Sequence, residues 1–449
     1  MTTVPTGADR LLTGWGRATA SVARVTGPLE TGRLRDLVLS QPPGGVLARG
    51  AGLSYGDAAQ NAGGYVLSPV TRPRIELTPG AASVRASASV SFAELLSQTV
   101  PHGRILPVLP GTRALTVGGA IAADVHGKNH RADGSIAAWI EEIELLDGNG
   151  DLQSLDPAGN AEGFHATIGG MGLTGIILAA TIRLLPIRSA FLHVTSRRLP
   201  DLDALLDGLS TSRSRYAVAW LDTTVPGKSL GRGILDEGDH LAGPVPAAEK
   251  SGLAYGPVQG RRAPALPFCP VTPSSARGFN SLWFRKAPQY RSGITDLPSY
   301  FHRLDALAGW NRVLGPRGFV QYQFAVPDGA EKIMTEVLEA VQNERCAPFL
   351  GTLKRFGPAT GGHLSFPLPG WSLAIDMPAG NPRLAPLLRR LDARVAAAGG
   401  RVYLAKDGNL GGEAFGAMYR RSPQWREIKA KFDPAGVFRS DLARRLGLC

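Results

Sequence analysis

Cysteine is scarce in this sequence: Cys269, Cys346 and Cys449 are the only three in 449 residues, with no C-x-x-C or paired spacing. A disulfide framework is therefore excluded and a reducing compartment is expected. No apolar run reaches the roughly 18 residues that a membrane-spanning helix needs. The opening MTTVPTGADRLL has neither the basic region nor the apolar run of a secretory leader, so a cytoplasmic protein is expected. Internal repeats are missing too. Although the net charge is +12, no basic run is interleaved with aromatics, which argues against nucleic acid. The surplus arginines are scattered through an Ala/Gly/Pro-rich chain. They leave an anionic membrane face or a phosphorylated substrate as the partners such a charge invites.

Glycine, in contrast, is abundant at 56 residues, and its most informative cluster lies in PGTRALTVGGAIAADVHGKNH, Pro110 to His130. Adjacent Gly118 and Gly119 let the backbone approach a ligand closely and aim N–H groups at oxyanions, and Gly127 beside His126 repeats the opportunity. Around this stretch the first half of the chain reads as strand-rich α+β. Short β-prone runs at 46–50, 65–70, 74–77 and 82–88 are broken by Gly, Pro and Asn. Ser91 caps a helix over 91–100 with Glu94 at the capping-box position. A hairpin over 140–155, a short helix at 161–168 and a buried strand at 174–187 follow.

From about Ile187 the pattern changes to strands at 217–222, 319–326 and 371–377, with helices over 328–343 and 382–398, suited to a sheet covered by helices on one face. Residues 240–279 carry little periodicity and read as a mobile loop. The chain thus divides into 1–187, 188–400 and a C-terminal segment, 401–449.

Several short motifs match function classes that their context rejects. Gly170-x-Gly172-x-x-Gly175 has the dinucleotide spacing, but a helix precedes it and a strand follows, the reverse of what that site requires. Gly52-Leu53-Ser54-Tyr55-Gly56 resembles a nucleophile elbow without the helix that should come next. Gly127-Lys128 lacks the first glycine of a phosphate-binding P-loop, since position 122 is Ala122, and Asn129 replaces its Ser/Thr. His126 and His130 have zinc-ligand spacing, yet no Glu follows His126 and Gly127 disfavours helix. No metal site is expected.

Three stretches taken in order, ARGAGLSYGD (48–57), PGTRALTVGGAIAADVHGKNH and GGMGLTGIIL (169–178), resemble the FAD-binding domain of the vanillyl-alcohol-oxidase (PCMH-type) flavoprotein class. The resemblance implies two small α+β subdomains clasping FAD, joined to a substrate domain with an antiparallel sheet covered by helices. DVHGKNH, AWLD, WNR, GFVQYQF, LSFPLPGW, AKD and SDLARRL extend it over nearly the whole chain to one family, the oxidase subunits of actinobacterial decaprenylphosphoryl-ribose 2-epimerases. That family implies oxidation of the ribose C2 hydroxyl of a polyprenyl-phosphate sugar to a ketone, an NAD(P)H-dependent reductase as partner, and contact with the inner face of the membrane. A paralogue acting on another sugar or natural-product alcohol, and a flavin- or lipid-binding protein without turnover, remain as alternatives.

Carried over position by position, the resemblance implies cofactor contacts at Arg49, Gly50, Gly52, Ser54, Tyr55, Gly56 and Asp57 in the first stretch. In the second it implies them at Pro110, Gly111, Thr112, Val117, Gly118, Gly119, Ala122, His126, Gly127 and Asn129. Gly172, Gly175, Ile176, Tyr403 and Lys406 complete the set. Hydride abstraction from an alcohol needs a cation beside the pole of the flavin that becomes negative and a group to take the hydroxyl proton. Lys406 matches the first role. His126 matches the second as base or orienter, with Tyr55 sharing it by hydrogen bonding.

Lys128, Trp220, Phe301, Gln323, Lys354, Phe356, Ser372 and Ala374 match substrate-pocket positions, and the lysines suit an anionic substrate. Leu53 stands where flavinylated members carry histidine, so non-covalent FAD is expected. Ser372, Ala374 and Phe301 replace Asn, Cys and Tyr of the mycobacterial enzymes, so an altered sugar pocket and resistance to thiol-directed inhibitors are expected.

Overall fold

The computed structural model of the protein describes residues 7–449 apart from 79, 244–251, 257–259 and 360. The fold is α+β. Its first two sheets belong to residues before Ile187. One has four strands in the order Ala8–Thr13, Ala20–Thr26, Tyr65–Leu67, Val46–Ala48. The other has five antiparallel strands in the order Ile75–Glu76, Ser83–Ser87, Ile176–Arg183, Ile140–Leu146, Leu152–Leu155. A hydrophobic core under each sheet fixes its register, because the two-residue period of a strand sends alternate side chains to opposite faces.

The helix Phe92–Thr99 begins as its sequence dictates. Ser91 accepts from the Glu94 N–H, and the Glu94 carboxylate accepts from the Ser91 N–H, a reciprocal cap worth about 1 kcal/mol.

The third sheet has eight antiparallel strands in the order Tyr290–Asp296, Phe191–Leu199, Gly233–His240, Tyr216–Leu221, Leu350–Phe356, Gly370–Pro378, Phe319–Pro327, Arg401–Val402. On one face Tyr322, Phe324, Leu353, Leu373, Ile375 and Met377 pack into a core that includes the helices Lys332–Asn343 and Leu384–Ala397. The residues between them, Gln321, Gln323, Lys354, Ser372, Ala374 and Asp376, are left for the opposite face.

Sequence periodicity misses half of this sheet. Strands Phe191–Leu199, Gly233–His240, Tyr290–Asp296 and Leu350–Phe356 carry Arg, Asp, Glu or Gly at positions where a strand pattern needs apolar residues, and cross-strand pairing overrides that weak local preference. The loop expected over 240–279 is corrected at both ends. His240 closes a strand, and Pro273–Lys286 is a helix whose N-terminus is held by a reciprocal Thr272/Ser275 cap. Part of that stretch lies outside the described residues.

Two contacts tie the sheets together. The turn at Gly14–Arg17 lies between the first and third sheets: Trp15 and Gly16 donate backbone N–H groups to Ser54 O and Tyr55 O, while Gly16 O accepts from Phe319 N–H at 2.7 Å. After its edge strand the C-terminal segment returns to the first half. Tyr55 N–H donates to Ala405 O, and Arg445 grips Asp57 with two hydrogen bonds of 2.8 Å.

Candidate functional site

Between the four-stranded and five-stranded sheets runs a cleft. Arg49, Gly50 and Ala51 line one wall, and Thr116, Gly118, Gly119, Ala122, Gly172 and Gly175 line the other. Absent side chains keep it open. A Cβ at Gly50 would lie 2.2 Å from Thr116 Oγ1, and one at Gly52, whose φ is +67°, would lie 2.2 Å from the Arg49 guanidinium.

The backbone N–H groups of Gly50, Ala51, Gly52, Leu53 and Ser54 donate to no acceptor among the described residues. Five successive N–H donors without an acceptor among the described residues, on a half-buried to exposed loop beside the cleft, form a concave set of donors of the kind that cradles a polyanion. The donor set therefore fits the pyrophosphate of FAD.

The Arg49 side chain supports the same loop from behind, donating to Ala59 O and Thr13 O. Gly118 and Gly119 line the cleft as expected, but their N–H groups are already used, donating to Ala88 O and to Thr116 Oγ1. A Cβ on Gly118 would press within 2.8 Å of Ala88 Cβ. These glycines serve close packing, and the free donors come from the 50–54 loop.

Other expected cofactor positions also carry contacts within the fold. Asp57 is occupied by Arg445. Gly56 exists for close approach, since a Cβ there would sit 1.7 Å from Asp407 O. The Asn129 amide donates to Pro107 O and Asp133, and Gly127 packs beneath it. Val117 and Ile176 point into the cores, so that Ile177 rather than Ile176 reaches the cleft. Pro110, Gly111 and Thr112 lie outside the lining of this cleft, next to Arg113, whose N–H donates to Asp305.

Where the cleft meets the eight-stranded sheet, His126 is buried in an aromatic cage of Phe356, Phe366 and Tyr403, with ring centroids 4.9, 5.5 and 5.3 Å away. The Gln323 amide donates to His126 Nε2 at 3.0 Å and to Ser372 Oγ at 3.2 Å. The ring proton is thereby placed on Nδ1. Burial, then the positive charges of Lys354, His130 and Lys406, hold His126 well below the usual histidine range, so it is neutral near pH 7. Tyr403 is fixed by its hydroxyl donating to Ala123 O at 2.8 Å.

Lys406 Nζ lies 3.5 Å from the centre of the Tyr55 ring. Burial lowers its pKa to about 7 against the opposing charge of Asp376, and Lys354 lowers it further. Asp376 was not singled out by the sequence reading. It is 1% exposed, accepts from the Gln321 amide at 2.7 Å, and has a second carboxylate oxygen with no partner among the described residues. Burial raises it to about 7, opposed by Gln321 and by Lys406. The available signal was a carboxylate in the middle of an otherwise apolar strand, WSLAIDM, which burial makes expensive unless it faces a site. Burial and Asp376 raise the Tyr55 phenol well above its ordinary range, so Tyr55 is a hydrogen-bonding wall and not a base.

Lys354 is lowered to about 8 by burial, and no acceptor for its Nζ occurs among the described residues. It is paired in register with Ser372, as Thr352 is with Trp220 and Ala374. Lys128 sits further out, donating to Tyr300 O at 2.5 Å over the Tyr300 ring, and burial lowers it to about 7. Phe301 is buried against Tyr216 and the side wall of the second core. No cysteine is among these residues, and Leu53 packs on the second core without offering a nucleophile.

Residues 41–156 match the family model described as an FAD binding domain. Over the whole chain the protein is 39% identical to the decaprenylphosphoryl-beta-D-ribose oxidase of Mycolicibacterium smegmatis, across 99% of that protein. Over 80% of the chain it is 39% identical to an uncharacterized protein of Streptomyces coelicolor, the whole of which is covered. Cytokinin dehydrogenase 9 of rice is 32% identical over 31% of the chain and 28% of its own length.

Proposed function

Since the chain belongs to the decaprenylphosphoryl-beta-D-ribose oxidase family, we propose that it oxidises the C2 hydroxyl of a polyprenyl-phosphoryl ribose to the 2-keto sugar. FAD is held without a covalent bond, by the Gly50–Ser54 donors and the glycine walls. Residues 1–187 form the cofactor domain and 188–400 the substrate domain, with 401–449 closing back over the first. When bound, FAD supplies the hydride acceptor and, once reduced, a negative pole.

The observation that carries this reading is the convergence of Lys406, Lys354 and the neutral His126, with Gln323, on one wall beside the cleft. His126 is neutral, and with Nε2 engaged by Gln323 its Nδ1–H, which has no partner among the described residues, is left to donate to the substrate hydroxyl and orient it. Gln323 holds its ring against Phe356 and Tyr403 at a fixed angle. Lys406 keeps positive charge where negative charge develops, and Asp376 keeps that lysine protonated to a higher pH than burial alone would permit. Lys354, with no acceptor of its own among the described residues, is suited to the anionic part of the substrate. The small side chains Ser372 and Ala374 widen the sugar side of the pocket, and that observation favours, as a second reading, a bulkier sugar on the same carrier.

An insoluble polyprenyl carrier places the enzyme at the inner face of a membrane, and the keto product passes to an NAD(P)H-dependent reductase. No helix among the described residues is long and apolar enough to cross a bilayer, which is in keeping with a peripheral contact. The test is anaerobic addition of polyprenyl-phosphoryl ribose to the yellow protein. Bleaching of the flavin band is expected. Protein that carries flavin but stays yellow would overturn the substrate assignment, and protein without flavin would overturn the scheme.

A further inference from the structure

Between Lys250 and Thr295 the sequence holds seven Lys/Arg and no Asp or Glu, in a chain with 37 acidic residues. Six of the twelve most exposed large apolar side chains among the described residues fall in the same segment: Phe268, Phe279, Leu282, Trp283, Tyr290 and Ile294. The helix Pro273–Lys286 concentrates both features.

Its inner face is anchored to the eight-stranded sheet. Ala276 and Asn280 are buried, Arg232 donates to Ser281, and the guanidinium groups of Arg232 and Arg198 lie 4.5 and 5.2 Å over the Phe284 ring. On the outer face Phe279, Leu282 and Trp283 are 61%, 54% and 48% exposed. Phe279 and Trp283, one turn apart, stack with centroids 6.2 Å apart and planes at 14°. Arg277, Arg285 and Lys286 on the helix and Arg291 just beyond are exposed, and none has an acidic partner among the described residues. A rigidly seated helix with an apolar outward stripe and a purely cationic flank cannot gain from water, and it complements a surface that is anionic outside and apolar a few ångströms below.

We propose that this helix, with the edge strand Tyr290–Asp296 that follows, is the surface by which the protein docks on an anionic lipid bilayer, Phe279, Leu282 and Trp283 entering the acyl boundary and the cations meeting the headgroups. It rests on the polyprenyl-phosphate reading for its purpose and deepens the peripheral contact to a named element. The connection to the site is short. The edge strand leads directly into Leu297–Phe301, where Tyr300 lies beneath Lys128, so a carrier lipid in the docked leaflet has its phosphate near the outermost lysine of the pocket.

The experiment is sedimentation of the FAD-loaded protein with phosphatidylglycerol/phosphatidylcholine vesicles and with phosphatidylcholine alone, at low and high salt. Binding to the anionic vesicles only, weakened by salt, is expected. The exposed triple variant Phe279→Ser, Leu282→Ser, Trp283→Ser should lose binding by more than tenfold. Arg285→Gln with Lys286→Gln should weaken it on the order of 25-fold, at roughly fivefold per cation.

Trp283 emission should shift to the blue on docking, and a Trp283→Phe control should lack that shift. Wild-type protein that ignores vesicles, binds neutral and anionic ones alike, or binds as well in the triple variant would overturn the proposal. So would variants that keep vesicle binding but lose a co-purifying protein, since the surface would then serve a protein partner. Flavin content and oxidation of a short-chain, water-soluble polyprenyl-phosphoryl ribose are measured on the same samples. Docking without that oxidation would refute the substrate reading alone, and oxidation without docking would refute this surface alone.

Discussion

If Lys406 acts as a cation, turnover must fall as pH rises through its pKa, and that pKa is set by its neighbours in a way that substitution can move. Burial brings Lys406 down to about 7 while the carboxylate of Asp376 opposes the fall. Asp376→Asn removes the opposing charge but keeps a group that can accept from Gln321. A nearby unit charge is worth about one to three pKa units, each about 1.4 kcal/mol. The alkaline limb of kcat should therefore move to lower pH by at least about one unit.

Lys406→Arg keeps a charge that is never lost in the accessible range and should flatten that limb, at some cost in rate because a planar guanidinium does not reproduce an ammonium. Lys406→Met should lower kcat by about 10²–10³-fold, the usual cost of removing one preorganised electrostatic donor. The assay is kcat against pH from 5.5 to 9.5 with an artificial electron acceptor, with flavin content measured at every point. The two buried groups titrate as a pair, so the limb is compared between variants and not assigned to one residue. A limb that moves up in Asp376→Asn, or persists unchanged in Lys406→Arg, refutes the cationic role. A rate that climbs above pH 7 would instead make Lys406 the base.

Gly52→Ala places a Cβ at φ +67° against Arg49 and should weaken FAD binding by about 2 kcal/mol, roughly 30-fold, in a flavin-fluorescence titration. Gly56→Ala drives a Cβ into Asp407 O, and the melting transition should show a loss of about 3 kcal/mol as the C-terminal segment lifts from the cofactor domain. Acid precipitation should leave the yellow colour in the supernatant, because Leu53 offers no nucleophile; a coloured pellet would contradict non-covalent binding.

Lys128, Lys354 and Lys406 are lowered to about 7, 8 and 7 by burial, whereas in the unfolded chain lysines stay protonated to about pH 10.4. Between roughly pH 8 and 10 the unfolded state binds more protons. Stability of the flavin-free protein to urea should therefore rise with pH across that window, by at most about 1.4 kcal/mol per unit for each lysine before screening is discounted. A urea midpoint that falls from pH 8 to 9.5 would refute the buried placement.

The sequence by itself determined the local devices. Gly50 and Gly52 are legible because only glycine fits where a loop must turn with positive φ or leave a wall open, and Ser91-x-x-Glu94 because a helix start needs its N–H groups satisfied within three residues. The strands at 319–326 and 371–377 are legible from their own composition, whereas Gln323, Ser372 and Ala374 were implied as pocket residues by the family resemblance. None of these readings needs a distant partner.

Tertiary structure decided what was non-local. The strand Gly233–His240 exists because neighbours on both sides pair with it, and its own Gly and acidic residues argue against it. Asp57 pairs with Arg445, Gly56 lies against Asp407 and the Asn129 amide nitrogen is held by Asp133, contacts that a glycine-rich motif does not announce, the first two hundreds of residues away. Asp376 beside Gln321 and Lys406, which sets the charge state of the site, joins residues from separate strands and from the returning C-terminal segment. Such pairings depend on burial and on charges brought together by folding, and burial is a property of the packed chain that no short stretch of residues carries.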